Sequence, residues 1–139
     1  MSFFCLLFID NVEETLSLRW NSTGVTIAGI SGFPCAASDC LNTPWTIALD
    51  LSNSLYVTDR YNHRVQKFKS GTKNATTVAG QSNAVGGSTS NMLNEPTGFY
   101  VDLNGNIIIS DTKNNRIQRW SNGALLGETL VGNGMYQCL

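Results

Sequence analysis

Apolar residues along this chain fall in short bursts separated by turn-forming residues. Trp45 to Asp50, Leu55 to Thr58, Arg64 to Phe68 and Thr76 to Ala79 are rich in β-branched and aromatic side chains, and Ser, Asn or Gly lie between them. Bursts of this length and composition, bounded in this way, predict strands. No long stretch keeps a helical period free of Gly or β-branched interruption, which argues against a helical solenoid.

The bursts repeat. Shifted by 52 residues, Leu41–Gly80 falls on Leu93–Gly132 without a gap, and 12 of the 40 positions are identical. At this composition chance would supply about two or three. The identities include Asp50/Asp102, Asp59/Asp111, Asn62/Asn114, Arg64/Arg116, Gln66/Gln118 and Gly80/Gly132. The second unit therefore predicts strands over Thr97 to Asp102, Ile107 to Ser110, Arg116 to Trp120 and Glu128 to Val131. Asn104-Gly105 marks a tight hairpin between its first two strands. Short connections pair neighbours antiparallel, and four antiparallel strands recurring at this period describe an all-β fold of β-propeller blades.

Pro44-x-x-Ile47-Ala48-x-Asp50 is followed by Leu55-Tyr56-Val57-Thr58-Asp59-Arg60-x-Asn62-His63-Arg64-Val65-Gln66-Lys67-Phe68. This string and its copy Ile109-Ser110-Asp111-x-x-Asn114-Asn115-Arg116-Ile117-Gln118-Arg119-Trp120 resemble the NHL repeat. More weakly, Leu6–Asn11, Leu16–Trp20 and Val25–Gly29 align with the second, third and fourth strands of such a blade. The expected organisation is a partial, degenerate blade and connecting loop over 1–40, a blade over 41–92, and a blade over 93–139 truncated in its last loop. The resemblance implies a ring of about six blades, so the expectation here is an incomplete ring, a piece of a larger propeller. Further blades or self-association would be needed to cover its open faces.

Composition leaves that picture standing. The chain has 139 residues, 42% apolar and 14% charged, with 13 glycines, which reads as compact and turn-rich. Its formal net charge of −1 does not point to nucleic acid or a membrane surface. The run Phe3–Ile9 is too short to span a bilayer, no Lys or Arg precedes it, and Asp10, Glu13 and Glu14 follow it. It reads as a buried strand.

Candidate chemistry is sparse. Cys35 and Cys40 are spaced to close a small loop disulfide, which would imply an oxidising compartment, whereas Cys5 reads as a core thiol. Cys138 has no partner after it before Leu139. Asn21-Ser22-Thr23 and Asn74-Ala75-Thr76 are N-glycosylation sequons in loops between third and fourth strands. Sequons and cysteine loop together favour an extracellular, secreted chain over a cytoplasmic one. No metal site, cofactor or catalytic residue is expected, because His63 is the single histidine and no Cys-x-x-Cys occurs.

Asp59 with Arg64, and Asp111 with Arg116, flank a turn in both units. A catalytic residue is needed once but a blade-building residue is needed in every blade, so these read as structural pairs, with Asp accepting turn N–H groups. Arg64, Lys67, Arg116 and Arg119 form a basic stripe that could meet RNA phosphates, as in some NHL propellers, although the net charge argues against nucleic acid. The resemblance implies a non-catalytic protein-binding scaffold whose partner the sequence does not name. It also implies two alternatives. One is the substrate-recognition propeller of a tripartite-motif-type ubiquitin ligase, and the other is an RNA-binding propeller. NHL-like amidating lyases hold zinc with several histidines, which this chain does not supply.

Overall fold

The computed structural model describes residues 23–132. The expectations for Leu6–Asn11 and Leu16–Trp20, and those for Cys5, Asn21 and Cys138, lie outside them. The described chain is all-β, with two four-stranded antiparallel sheets of the same order. The first contains β1 (Pro44–Leu49), β2 (Leu55–Asp59), β3 (Arg64–Phe68) and β4 (Ala75–Gly80). The second contains β5 (Phe99–Val101), β6 (Ile107–Asp111), β7 (Arg116–Trp120) and β8 (Glu128–Val131). Each sheet is a meander, β1-β2-β3-β4 and β5-β6-β7-β8, as short hairpin connections dictate. One turn of 3-10 helix joins the middle strands of each sheet, at Arg60–Asn62 and Thr112–Asn114.

The repeat extends to backbone detail. His63 and Asn115 end those turns in the left-handed region, at φ 54° and 49°. Gly80 and Gly132 close the fourth strands at φ 80° and 84°, where a Cβ would overlap the carbonyl oxygens of His63 and Asn115. One bulge recurs as well. Val65 pairs with Ala79 and Gln66 with Thr77, leaving Val78 extra, and Ile117/Val131 with Gln118/Thr129 leave Leu130 extra. The Asn104-Gly105 hairpin is not a two-residue turn. Gly105 N–H donates to Asp102 O and Asp102 N–H to Asn106 O, so Gly105 is the left-handed last position of a three-residue loop. Asn53 takes that position in the first blade, at φ 57°.

The core lies between the sheets. Tyr56, Val65 and Ala79 of the first meet Ile107, Ile109 and Trp120 of the second, and Leu93 from the connecting loop is 0% exposed among them. The Tyr56 and Phe99 rings meet at a tilt, with centroids 6.4 Å apart and planes 40° from parallel. The first strands, β1 and β5, meet across the two blades. There the Thr46 hydroxyl donates to Thr97 O at 2.7 Å. Both faces of β2 are covered, so Tyr56 to Asp59 are all buried and the period-2 alternation of a one-sided strand is absent. Among the described residues nothing covers the outer face of the second blade. Val131 is 66% exposed where its counterpart Ala79 is 2%.

Residues 25–29, expected to be a fourth strand, carry no strand assignment, and Val25 and Ile27 are exposed. A strand exists only through its ladder, and the partner expected for this one, Leu16–Trp20, lies outside the described residues.

The shared core sets an expected result. Trp120→Ala and Ile109→Ala each destabilise the chain by about 2 to 5 kcal/mol, because both side chains fill the seam between sheets. Leu51→Ala, at a hairpin tip that is 87% exposed, changes stability by less than about 0.5 kcal/mol. Urea melts followed by tryptophan fluorescence measure the difference.

Candidate functional site

A dense group of buried polar side chains sits at the end of each blade where the second strand turns into the third. Asp59 is 0% exposed and accepts three kinds of donor. Arg64 Nε donates to it at 2.8 Å, Asn62 Nδ2 at 2.9 Å, and the backbone N–H of Asn42 at 2.6 Å. The second blade repeats the set on Asp111, with Arg116 Nε at 2.7 Å, Asn114 Nδ2 at 2.8 Å and Asn94 N–H at 2.7 Å. The Asp side chains make no cap bond to the 3-10 turns, contrary to the expectation that they accept turn N–H groups. They reach instead to the segment that enters the blade, 17 residues earlier.

The remaining donors tie down the loop before each blade. Asn62 Nδ2 reaches Cys35 O at 2.7 Å and Arg64 reaches Ala37 O at 3.0 Å, while another Arg64 nitrogen reaches Ser82 O, in the loop after the blade, at 2.9 Å. Asn114 Nδ2 reaches Gly87 O at 2.8 Å, and Arg116 reaches Ser88 O, Thr89 O and Met92 O. Removing charges from water is costly, and only dense hydrogen bonding offsets it, which is what these clusters supply.

Cys35 and Cys40 form a disulfide across the first of these loops, with Cα atoms 5.2 Å apart. Their counterparts 52 residues on are Gly87 and Met92. There the Met92 sulfur lies so close over Gly87 that a Cβ would overlap it. A thioether contact thus takes the place of the covalent link.

The basic stripe is not brought together. Arg64 and Arg116 are engaged with their Asp partners, at 2% and 7% side-chain exposure, so neither is available to phosphates. Lys67 pairs with Asp50 at 2.9 Å and lies 4.8 Å from the Tyr56 ring centroid, while Arg119 pairs with Glu128. At Arg64 and Arg116 the blade's own carboxylates and loop carbonyls compete with any phosphate for the guanidinium groups.

Four of the positions at which the two repeats differ lie at the same end as the Asp clusters. Trp45, Arg60, Tyr61 and His63 stand where the second blade has Thr97, Thr112, Lys113 and Asn115. The Arg60 guanidinium carbon lies 4.7 Å from the Trp45 ring centroid and 5.1 Å from that of Tyr61. Its Nη2 pairs with Glu95 of the next blade's entry segment at 2.8 Å. His63 Nδ1 accepts the Glu95 backbone N–H at 3.1 Å. Trp45 and Tyr61 remain 58% and 48% exposed. Sequence reasoning missed this cluster, because these four are among the 28 of 40 aligned positions that differ and mismatch alone did not single them out. Asn74, the sequon asparagine, sits apart in the exposed β3–β4 loop, at the opposite end of the blade. Among the described residues no group of three His, Cys, Asp or Glu is placed to hold a metal ion, and no helix is long and apolar enough to cross a membrane.

Two outcomes follow from these geometries. Asp59→Ala leaves the Arg64 guanidinium buried without its counter-ion and costs about 3 to 5 kcal/mol in denaturant melts. The double variant Asp59→Ala/Arg64→Met costs less than the sum of its parts. The second outcome concerns Asp50. Burial would raise its carboxyl, but the hydrogen bonds from Lys67, Ser54 and Ser52 outweigh that and bring its pKa down from 3.8 to about 2. A depressed carboxyl contributes stability that is present above the unfolded value and lost as pH falls through the folded one. Acid titration of stability should therefore show a component lost between pH 3.8 and about 2, and Asp50→Asn should abolish it.

Comparison with known proteins agrees with this geometry. The NHL repeat model matches residues 41–68 and 93–120, which run from the entry segment to the end of the third strand in each blade. NHL repeat-containing protein 2 of Bos taurus is 42% identical over 71 residues, 48% of this chain and 10% of that protein. Its Homo sapiens counterpart is 41% identical over 71 residues, with the same coverage. Protein SUPPRESSOR OF QUENCHING 1, chloroplastic, of Arabidopsis thaliana is 32% identical over 81 residues, 56% of this chain and 8% of that protein. The chain thus spans about a tenth of the length of these curated relatives. Repeated sequence, repeated Asp-Asn-Arg clusters and matched repeat model converge: the chain carries two NHL repeats, each built as a four-stranded blade.

Proposed function

We propose that this chain is a non-catalytic protein-binding module, part of a larger propeller, and that it meets its partner through the end of the blades carrying Trp45, Arg60 and Tyr61. One observation carries the reading. An aromatic–cation group that the second blade lacks stands half-exposed there, with Trp45 58% and Tyr61 48% exposed and Arg60 against both rings. Tyr, Trp and Arg are the side chains that most often dominate protein–protein contacts. Arg60 is held by two rings and a carboxylate, so little of its conformational freedom remains to be lost on binding. The absence of catalysis is part of the proposal. Asp59, Asp111, Arg64 and Arg116 are engaged in building the blades, and one nitrogen of the single histidine is occupied by Glu95.

The Cys35–Cys40 disulfide supports a chain that folds in an oxidising compartment and is secreted. The role of substrate-recognition propeller in a ubiquitin ligase rests on family resemblance alone, and no contact in the blades favours it.

Immobilised chain and its variants, exposed to proteins from the native source, provide the test. Trp45→Ala/Tyr61→Ala and Arg60→Ala should each weaken capture of a partner by about tenfold or more, as loss of a dominant contact does. Leu51→Ala, at the opposite end of the blade, should leave capture unchanged. Equal capture by all variants would remove this face from the interface.

A further inference from the structure

The structure assigns Asn74 as an acceptor for an N-linked oligosaccharide. The site lies at the opposite end of the blade from the proposed partner face, and the inference rests on the reading that the chain folds in an oxidising compartment. Asn74-Ala75-Thr76 straddles the end of the β3–β4 loop and the start of β4. Asn74 and Thr76 are both exposed, while Ala75 between them is half-buried. Neither the Asn74 amide nor the Thr76 hydroxyl has a hydrogen-bond partner among the described residues. Only the backbone carbonyl of Asn74 is used, by the Thr72 hydroxyl at 3.4 Å. The sequon is not a blade-building feature, because Leu126 and Glu128 stand at these positions in the second repeat. The disulfide is an independent observation pointing to the compartment in which such transfer occurs.

The chemistry needs a lipid-diphosphate-linked oligosaccharide as donor. Asn74 Nδ2 forms a bond to the anomeric carbon of the first sugar as the bond from that carbon to the diphosphate oxygen breaks. The lipid diphosphate leaves with the electron pair, and one amide proton passes to a base of the transferring enzyme. A glycan there would also stand beside the blade's outer strand, which has a ladder partner on one side only. Bulk at that point blocks edge-to-edge pairing with another sheet.

The experiment is expression of the full chain through a eukaryotic secretory pathway, with gel mobility before and after peptide N-glycosidase digestion and peptide mapping of Asn74 and the cysteines. The expected result is a mobility shift removed by the enzyme, lost in Asn74→Gln and Thr76→Ala, and kept in Thr76→Ser. Carrying Asn21→Gln in every variant isolates Asn74. A chain with Cys35 bonded to Cys40 but with Asn74 unmodified overturns the glycan assignment and leaves the compartment reading standing. A chain with both thiols free and Asn74 unmodified overturns both.

Discussion

The buried carboxylate at the turn of each blade is the interaction on which the rest of the structure depends. A four-stranded sheet has two faces and cannot bury either alone, so a blade is stable only when its neighbour is held against it. Asp59 and Asp111 anchor the segment that leads into each blade. Each carboxylate fixes an Arg and an Asn, and those two side chains fix the carbonyls of the loop that delivers the chain into the blade. With that loop in place, Leu93 is set into the seam and Thr97 meets Thr46. The left-handed residue after each 3-10 turn and the crowded glycine at the end of each fourth strand are further conditions of the same packing.

The two incoming loops meet that constraint by different means. Cys35 and Cys40 are joined covalently, whereas at the same two positions in the second repeat a methionine sulfur covers a glycine. A cross-link restricts the unfolded chain. A packed thioether contributes only in the folded state and adapts to the space it fills. The backbone carbonyls at Cys35 and Gly87 nevertheless accept the same Asn amide in both blades. The scaffold thus specifies the loop's position and leaves its side chains free to differ.

That freedom separates structure from recognition within one repeat. Where the repeats agree, residues are mostly buried or left-handed turn formers. Where they disagree at the turn end, Trp45, Arg60 and Tyr61 form an aromatic–cation group tied to Glu95 of the next blade. The same subtraction sets Asn74 apart at the other end. Leu51 and Leu103 run against the pattern, since they are identical yet 87% and 84% exposed at the hairpin tips.

The sequence by itself determined the strands, their antiparallel order and the blade unit. These depend on side-chain period, turn residues and short connections, all legible within a few residues, and the gapless copy at 52 residues reinforced them. It also placed Asp59 with Arg64, and Cys35 with Cys40, because their spacing recurs or closes a small loop. Only the tertiary structure decided which donors the carboxylates accept, which basic residues are buried, and that Arg60 reaches a glutamate 35 residues away. The reason is physical. Strand formation is governed by neighbours along the chain, whereas burial and ion pairing are governed by neighbours in space. Here those spatial neighbours arrive from the loop before the blade and from the blade beside it.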